Sequence, residues 1–215
     1  MLGLRLDTRE TLHVLCLGAH CDDIEIGCGG TILRLARDLE TVSVEWIVFS
    51  STPQREEEAR ASAALFLDRV AESRIEVRRF RDGFFPYIGM EIKEYFETLK
   101  DKYNPDLIFT HYRDDRHQDH RVISDLTWNT FRHHLILEYE IPKYDGDSGN
   151  PNLFVPLDED VCLRKARDLV ASYPSQTSKR WFTTDAFLSI MRLRGIESNA
   201  LTKYAEAFYC RKAVL

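Results

Sequence analysis

A chain of 215 residues with 44% hydrophobic and 30% charged residues has the composition of a folded globular protein, not of a disordered one, and one α/β domain of this length buries a sizeable core. Its 29 basic and 35 acidic residues leave a net charge of -6, which excludes a general electrostatic pull toward nucleic acid or anionic membranes and points to small-molecule partners. No stretch approaches the roughly 20 apolar residues of a membrane span.

The opening MLGLRLDTRETLH carries acids early and lacks the apolar run of a signal peptide. Five cysteines (Cys16, Cys21, Cys28, Cys162, Cys210) form an odd set without a CxxC pair, which suits reduced thiols better than a disulfide framework. A soluble, cytoplasmic protein is expected.

In chain order, VLCLG at 14–18 reads as a parallel strand covered on both faces. A glycine-rich turn is expected next, then a helix over about 29–39 with Ile32, Leu35, Ala36 and Leu39 at helical spacing. VSVEWIVFS (42–50) is a second strand, and 55–67 a helix with Ala59, Ser62, Ala63 and Phe66 on one face. A strand at 75–80 follows, then a helix marked by Ile92, Tyr95, Phe96, Leu99 and Tyr103, which Asn104-Pro105 stops.

DLIFTH (106–111) is a fourth strand leading into the polar loop YRDDRHQDH, and a helix starting near Asp119 carries Val122, Ile123, Leu126 and Thr130. After a strand at 135–141, the turn-rich KYDGDSGNPN (143–152) is a candidate surface loop or lid. Cys162, Ala166, Leu169, Val170 and Tyr173 mark one more helix, and 184–194 another. Strands alternating with helices at this rhythm predict a single-domain, Rossmann-like α/β fold over 1–215, with a mostly parallel sheet and helices on both faces.

Ligands of such sheets bind beyond the carboxyl ends of the strands, where the strand order reverses. His20, Asp22 and Asp23 follow the first strand and His117, Asp119 and His120 the fourth, so the two clusters can meet. Two imidazoles and one carboxylate with an open position make a typical catalytic zinc shell, in which bound water becomes a nucleophile at neutral pH. Ferrous iron also suits this donor set. Adjacent residues in a tight turn rarely both reach one ion, so one aspartate should ligate while its neighbour takes a proton as general base. GCGG at 27–30 is not the GxGxxG of dinucleotide binding, and its glycines are expected to allow close packing at the helix start.

The order H-x-D-D after a first strand, then G-C-G-G-T, then H-x-D-H, resembles the PIG-L/LmbE-like family of zinc-dependent N-deacetylases. The resemblance implies that His20, Asp23 and His120 hold one zinc and that Asp22 is the general base. It further implies His117 as oxyanion stabiliser or general acid, tuned by Asp119, and Arg55 and Asp82 as sugar contacts. The implied substrate is an N-acetylated amino sugar or its conjugate; no nucleic acid or membrane span is implied, and a homo-oligomer is compatible with the sequence.

This chain departs from the common H-P-D-D-E form: Cys21 stands for the proline and Ile24 for the glutamate, with Glu25 one place later, so Cys21 is a candidate soft group near the metal. Gln118 replaces the proline of H-P-D-H. His13, His111, His133 and His134 read as structural, His111 being the exception to watch because it ends a strand. Two further readings use the same residue types. A two-metal phosphoesterase would need ligands beyond one shell plus Asp115 and Asp119, and a non-catalytic zinc-binding sugar module would need no base.

Overall fold

The run 12–18 is apolar at both parities because it lies at the middle of a sheet covered on both sides. Val14 and Cys16 belong to one hydrophobic core, Leu15 and Leu17 to another. The computed structural model describes residues 11–214, so most of the opening stretch MLGLRLDTRETLH, read above as lacking a signal peptide, lies outside the described residues.

The strands are β1 (Leu12–Gly18), β2 (Val42–Val48), β3 (Glu72–Val77), β4 (Leu107–His111), β5 (Leu135–Tyr139), β6 (Leu153–Leu157) and β7 (Tyr204–Cys210). They form one sheet in the order β3-β2-β1-β4-β5-β7-β6. The pairs from β3 to β5 are parallel, with Val14 opposite both Val44 and Leu107, while β7 runs antiparallel to β5 and to β6. The mostly parallel α/β fold expected from the sequence is the observed one.

Among the described residues, six α-helices accompany it: α1 (Asp23–Asp38), α2 (Pro53–Phe66), α3 (Gly89–Lys102), α4 (Gln118–Thr130), α5 (Glu159–Ser172) and α6 (Thr184–Glu197). Residues of α1, α2, α5 and α6 share the core of Val14, Trp46 and Phe109, whereas Phe96, Leu99 and Ile123 of α3 and α4 share that of Leu15, Phe49 and Ile136.

The expected glycine-rich turn is not there: α1 starts at Asp23, and Gly27, Gly29 and Gly30 lie inside it. Glycine disfavours a helix interior by about 1 kcal/mol each, so packing must carry this segment. A Cβ on Gly27 would fall 2.2 Å from the Tyr139 ring of β5 and one on Gly29 2.7 Å from Phe66 of α2, so α1 can approach the sheet and α2 this closely only without side chains there.

Strands β6 and β7 have no counterpart among the elements expected from the sequence. Pro156 in β6 argues against a strand, but β6 is an edge strand, where a missing N–H costs nothing. Glu206 sits in the middle of β7 and is nonetheless buried. Its carboxylate accepts from Gly30 N (2.8 Å), Thr31 N (2.6 Å), Thr31 Oγ1 (2.6 Å) and Lys165 Nζ (2.6 Å), a polar clasp joining β7 to α1 and α5.

Candidate metal centre

Because β1 and β4 are neighbours, with Cys16 opposite Phe109, the loops after them emerge side by side. Asp23 is fixed first. It opens α1, where the helix dipole favours a carboxylate, and its Oδ2 accepts the backbone N–H of His20 at 2.6 Å, folding the 20–23 turn onto itself.

Three donor atoms then converge. His20 Nδ1 lies 3.3 Å from Asp23 Oδ2 and 3.1 Å from His120 Nε2, and His120 Nε2 lies 3.6 Å from Asp23 Oδ2. A tetrahedral ion with bonds of about 2.0–2.2 Å has ligand–ligand edges of about 3.3–3.6 Å, so this triangle has close to the dimensions of one face of a zinc shell. The residues present fit the metal.

Protonation agrees with that fit. His120 Nδ1 faces Asp115 Oδ2 at 2.9 Å, which fixes its hydrogen there and leaves the Nε2 lone pair toward Asp23. Burial, reinforced by the neighbouring His111, pushes the His120 pKa down to about 3, so the ring is neutral. Burial raises the Asp23 carboxyl, but His120, His111 and His20 outweigh it and hold it well below the usual range. Burial also pulls His20 down, yet Asp23, Asp119 and Asp82 together hold it well above an ordinary histidine. The carboxylates of Asp23, Asp82 and Asp119, 3.0 to 3.5 Å from its ring nitrogens, make this a place of negative potential that a cation would relieve.

The remaining predicted residues gather around this triangle. Asp22 is buried, and its Oδ1 accepts from Arg55 Nη2 at 2.9 Å; Arg55 stands in the first turn of α2, which Thr52 caps and Pro53 opens. His117 caps α4, its Nδ1 accepting the Asp119 N–H at 3.3 Å, and it offers a ring nitrogen within 4.8 Å of those of His20 and His120. Burial and the nearby His20 lower its pKa. Asp82, with 72% of its side chain exposed, places Oδ1 3.0 Å from His20 Nε2, though without hydrogen-bond alignment.

The Asp119 carboxylate does not hydrogen-bond the His117 ring. Its oxygens accept from Gly83 N (2.6 Å) and Phe85 N (3.2 Å), and Oδ2 is 3.5 Å from His20 Nε2. It thereby pins the loop that carries Asp82.

Cys21, the candidate soft group, turns its sulfur elsewhere. Its sulfur is buried against Ser50 O at 3.4 Å, and burial pushes the thiol up to about 12. Glu25, displaced by one place from the common motif, is also buried; it meets the Tyr173 hydroxyl at 2.7 Å, and Tyr173 in turn donates to Cys21 O. Glu58 accepts from Ser175 N and Oγ. The segment YPSQ at 173–176 thus buttresses the first motif from behind.

His111, read as structural, is fully buried between Tyr139 and the cluster, with Nε2 3.2 Å from Asp23 Oδ2. Its place at the end of β4 was the one available signal. The segment 143–152 does not stand as a free flap: Lys143 reaches Asp115, and Asp147 accepts from Arg116 N at 2.7 Å. A hollow of about 700 Å³ lined by His13, Glu45 and Lys102 lies at the amino-terminal ends of β1 and β2, away from all this chemistry.

The family described as PIG-L, GlcNAc-PI de-N-acetylase, matches residues 15–131, which takes in both clusters. Among solved structures, the chain resembles the conserved protein TT1542 from Thermus thermophilus, with 20% identity and a TM-score of 0.72 over 95% of this chain and 96% of that one. It also resembles N,N'-diacetylchitobiose deacetylase from Pyrococcus horikoshii, with 20% identity and a TM-score of 0.62 over 91% and 82%. GalB, the 4-carboxy-2-hydroxymuconate hydratase from Pseudomonas putida, shares the fold at 14% identity and a TM-score of 0.64 over 95% and 98%. Proteins of different reaction thus share this fold, and the reaction has to be argued from the site.

Proposed function

The chain belongs to the PIG-L family of GlcNAc-PI de-N-acetylases, and from that premise we propose that it is a zinc-dependent hydrolase removing an N-acetyl group from an amino sugar or amino-sugar conjugate. The observation that carries this reading is the triangle of His20 Nδ1, Asp23 Oδ2 and His120 Nε2, with edges of 3.1 to 3.6 Å and a second carboxylate, Asp22, adjacent.

His20, Asp23 and His120 would hold the metal. Zinc, when bound there, lowers the pKa of water toward 7 and polarises an acyl carbonyl. Asp22 acts as general base: Arg55 occupies Oδ1, so the water proton goes to Oδ2. His117 presents its free Nε2 to the developing oxyanion, or a proton from it to the leaving amine, since Nδ1 is engaged with the Asp119 N–H. Arg55 and Asp82 flank the opening as sugar contacts, and Asp119 keeps Asp82 in place through the Gly83 and Phe85 amides. With five free cysteines, four of them buried, the working compartment is a reducing cytoplasm.

The test is acetate release from a panel of N-acetylated sugars and conjugates by metal-stripped protein, with and without added zinc. Zinc-dependent release establishes the reaction. Silence across the panel from protein that still binds one zinc would sink the deacetylase reading while sparing the metal site.

A further inference from the structure

Lys143 lies in the segment between β5 and β6, where a lysine is ordinarily solvated, yet its side chain is only 11% exposed. Three oxygens surround this ammonium: Asp115 Oδ2 at 2.9 Å and Asp147 Oδ2 at 2.5 Å as ion pairs, and Ile141 O at 3.3 Å as the acceptor of a hydrogen bond. Asp115 Oδ2 is the same oxygen that faces His120 Nδ1, and Asp115 Oδ1 accepts the N–H of His117 at 2.7 Å. Asp147 Oδ2 in turn accepts Arg116 N, the amide next to His117.

The far end of the segment is tied down too. Arg194 Nη2 donates to Gly149 O at 3.3 Å, and a Cβ on Gly149 would fall 2.4 Å from the Tyr209 hydroxyl, so the chain passes hard against β7 there. The segment is a strap across the loop that carries His117 and His120.

We propose that Lys143, held by Asp147, is a positioning residue that fixes Asp115 and through it the ligating orientation of His120. Asp115 is anchored by one backbone amide at Oδ1, and Lys143 supplies the second anchor, at Oδ2. Without the ammonium, the carboxylate can rotate away from His120 Nδ1, and the imidazole loses the partner that sets its tautomer and plane. This inference rests on the reading of His20, Asp23 and His120 as metal ligands, and deepens it.

Zinc affinity is measured by competition with a chromophoric chelator for the full chain and for Lys143→Met, Lys143→Arg and Asp147→Asn, beside the absorption bands of the cobalt-loaded proteins. Lys143→Met is expected to bind zinc roughly tenfold more weakly, the low end of the range for outer partners of a ligand. Its cobalt bands should shift, and Lys143→Arg, which keeps the cation, should restore most of both. Unchanged affinity and bands in a folded Lys143→Met would overturn the proposal and leave the lysine a neutraliser of two buried acids. Should that variant lose its cooperative melt, Asp147→Asn decides: it keeps an acceptor for Arg116 N but loosens Lys143, so a shift of the same sign supports the strap and none refutes it. Failure of the unaltered chain to bind zinc refutes the metal reading itself, a separate outcome.

Discussion

His111 stacks face to face on His120, with ring centroids 3.9 Å apart and planes 17° apart, while its Nε2 contacts Asp23 Oδ2 at 3.2 Å. One buried ring therefore touches two of the three residues assigned to the metal. Ala19 N donates to that same Nε2 at 2.9 Å, which ties the ring to the chain just before His20. Removing it should loosen both ligands. His111→Ala is expected to weaken zinc binding by about tenfold or more, as outer partners of metal ligands do. Chelator competition reads this directly, and an affinity equal to that of the unaltered chain would show the stack to be packing alone.

Asp22 and Asp23 are neighbours with separate partners: Asp23 faces three imidazoles, Asp22 faces Arg55. Asp22→Asn should therefore spare the metal and remove the base. Turnover is expected to fall by about 10²–10⁴, the usual contribution of a general base, with one zinc per chain still bound. Rate assays paired with elemental analysis check both halves; an undiminished rate would remove Asp22 from this role.

How much of this was legible in the sequence depends on which interactions are local. Strands β1, β2 and β4 are apolar runs beside turn signals, and both clusters sit at their ends, so site and switch point could be read together. The start of α1 could not, because three glycines argue locally against a helix that only Tyr139, Phe66 and Leu157 justify. Strand β7 was hidden for the same reason: Glu206 is acceptable in the interior because Lys165, 41 positions away, and the amides of Gly30 and Thr31, more than 170 positions away, meet it. Lys143 looked like loop charge, since its contact with Asp115 is set by tertiary folding alone.

Gly27 offers a sharp test of the packing reading. An alanine there would bring its Cβ within 2.2 to 2.9 Å of three Tyr139 atoms, and Tyr139 cannot swing aside without releasing its hydroxyl from Leu17 O, 2.6 Å away. The propensity gain of alanine over glycine, about 1 kcal/mol, is outweighed by overpacking of about 1–3 kcal/mol or more. Gly27→Ala is expected to lower the midpoint of denaturant unfolding, whereas a raised midpoint would mean that α1 is less tightly set than described.

The Lys165–Glu206 pair should behave as a buried ion pair whose partners are unequal. Glu206 also serves the amides of Gly30 and Thr31, while Lys165 has Ile26 O at 2.7 Å as its other acceptor. Lys165→Met leaves a buried carboxylate without its cation and is expected to cost about 3–5 kcal/mol. Replacing both by apolar residues should recover only part of that, because the α1 amides then lose their acceptor. Full recovery in the double variant, measured by urea unfolding, would contradict the clasp.

Metal removal tests the centre as a whole. A ligand that binds only the folded chain stabilises it by RT ln(1 + [L]/Kd), about 4 kcal/mol at a thousandfold excess over Kd, which for a domain of this size raises Tm on the order of 10 °C. Stripped protein titrated with zinc should show that rise, saturating at one ion per chain, and His120→Ala, which removes one corner of the triangle, should abolish it. His20 Nε2, Asp82 and Asp119 form a second grouping of donors on the far side of the same ring. Its Asp119 oxygens are already committed to the Gly83 and Phe85 amides, so no second equivalent is expected. Two zinc ions per chain would instead favour the two-metal phosphoesterase chemistry that the same residue types allow.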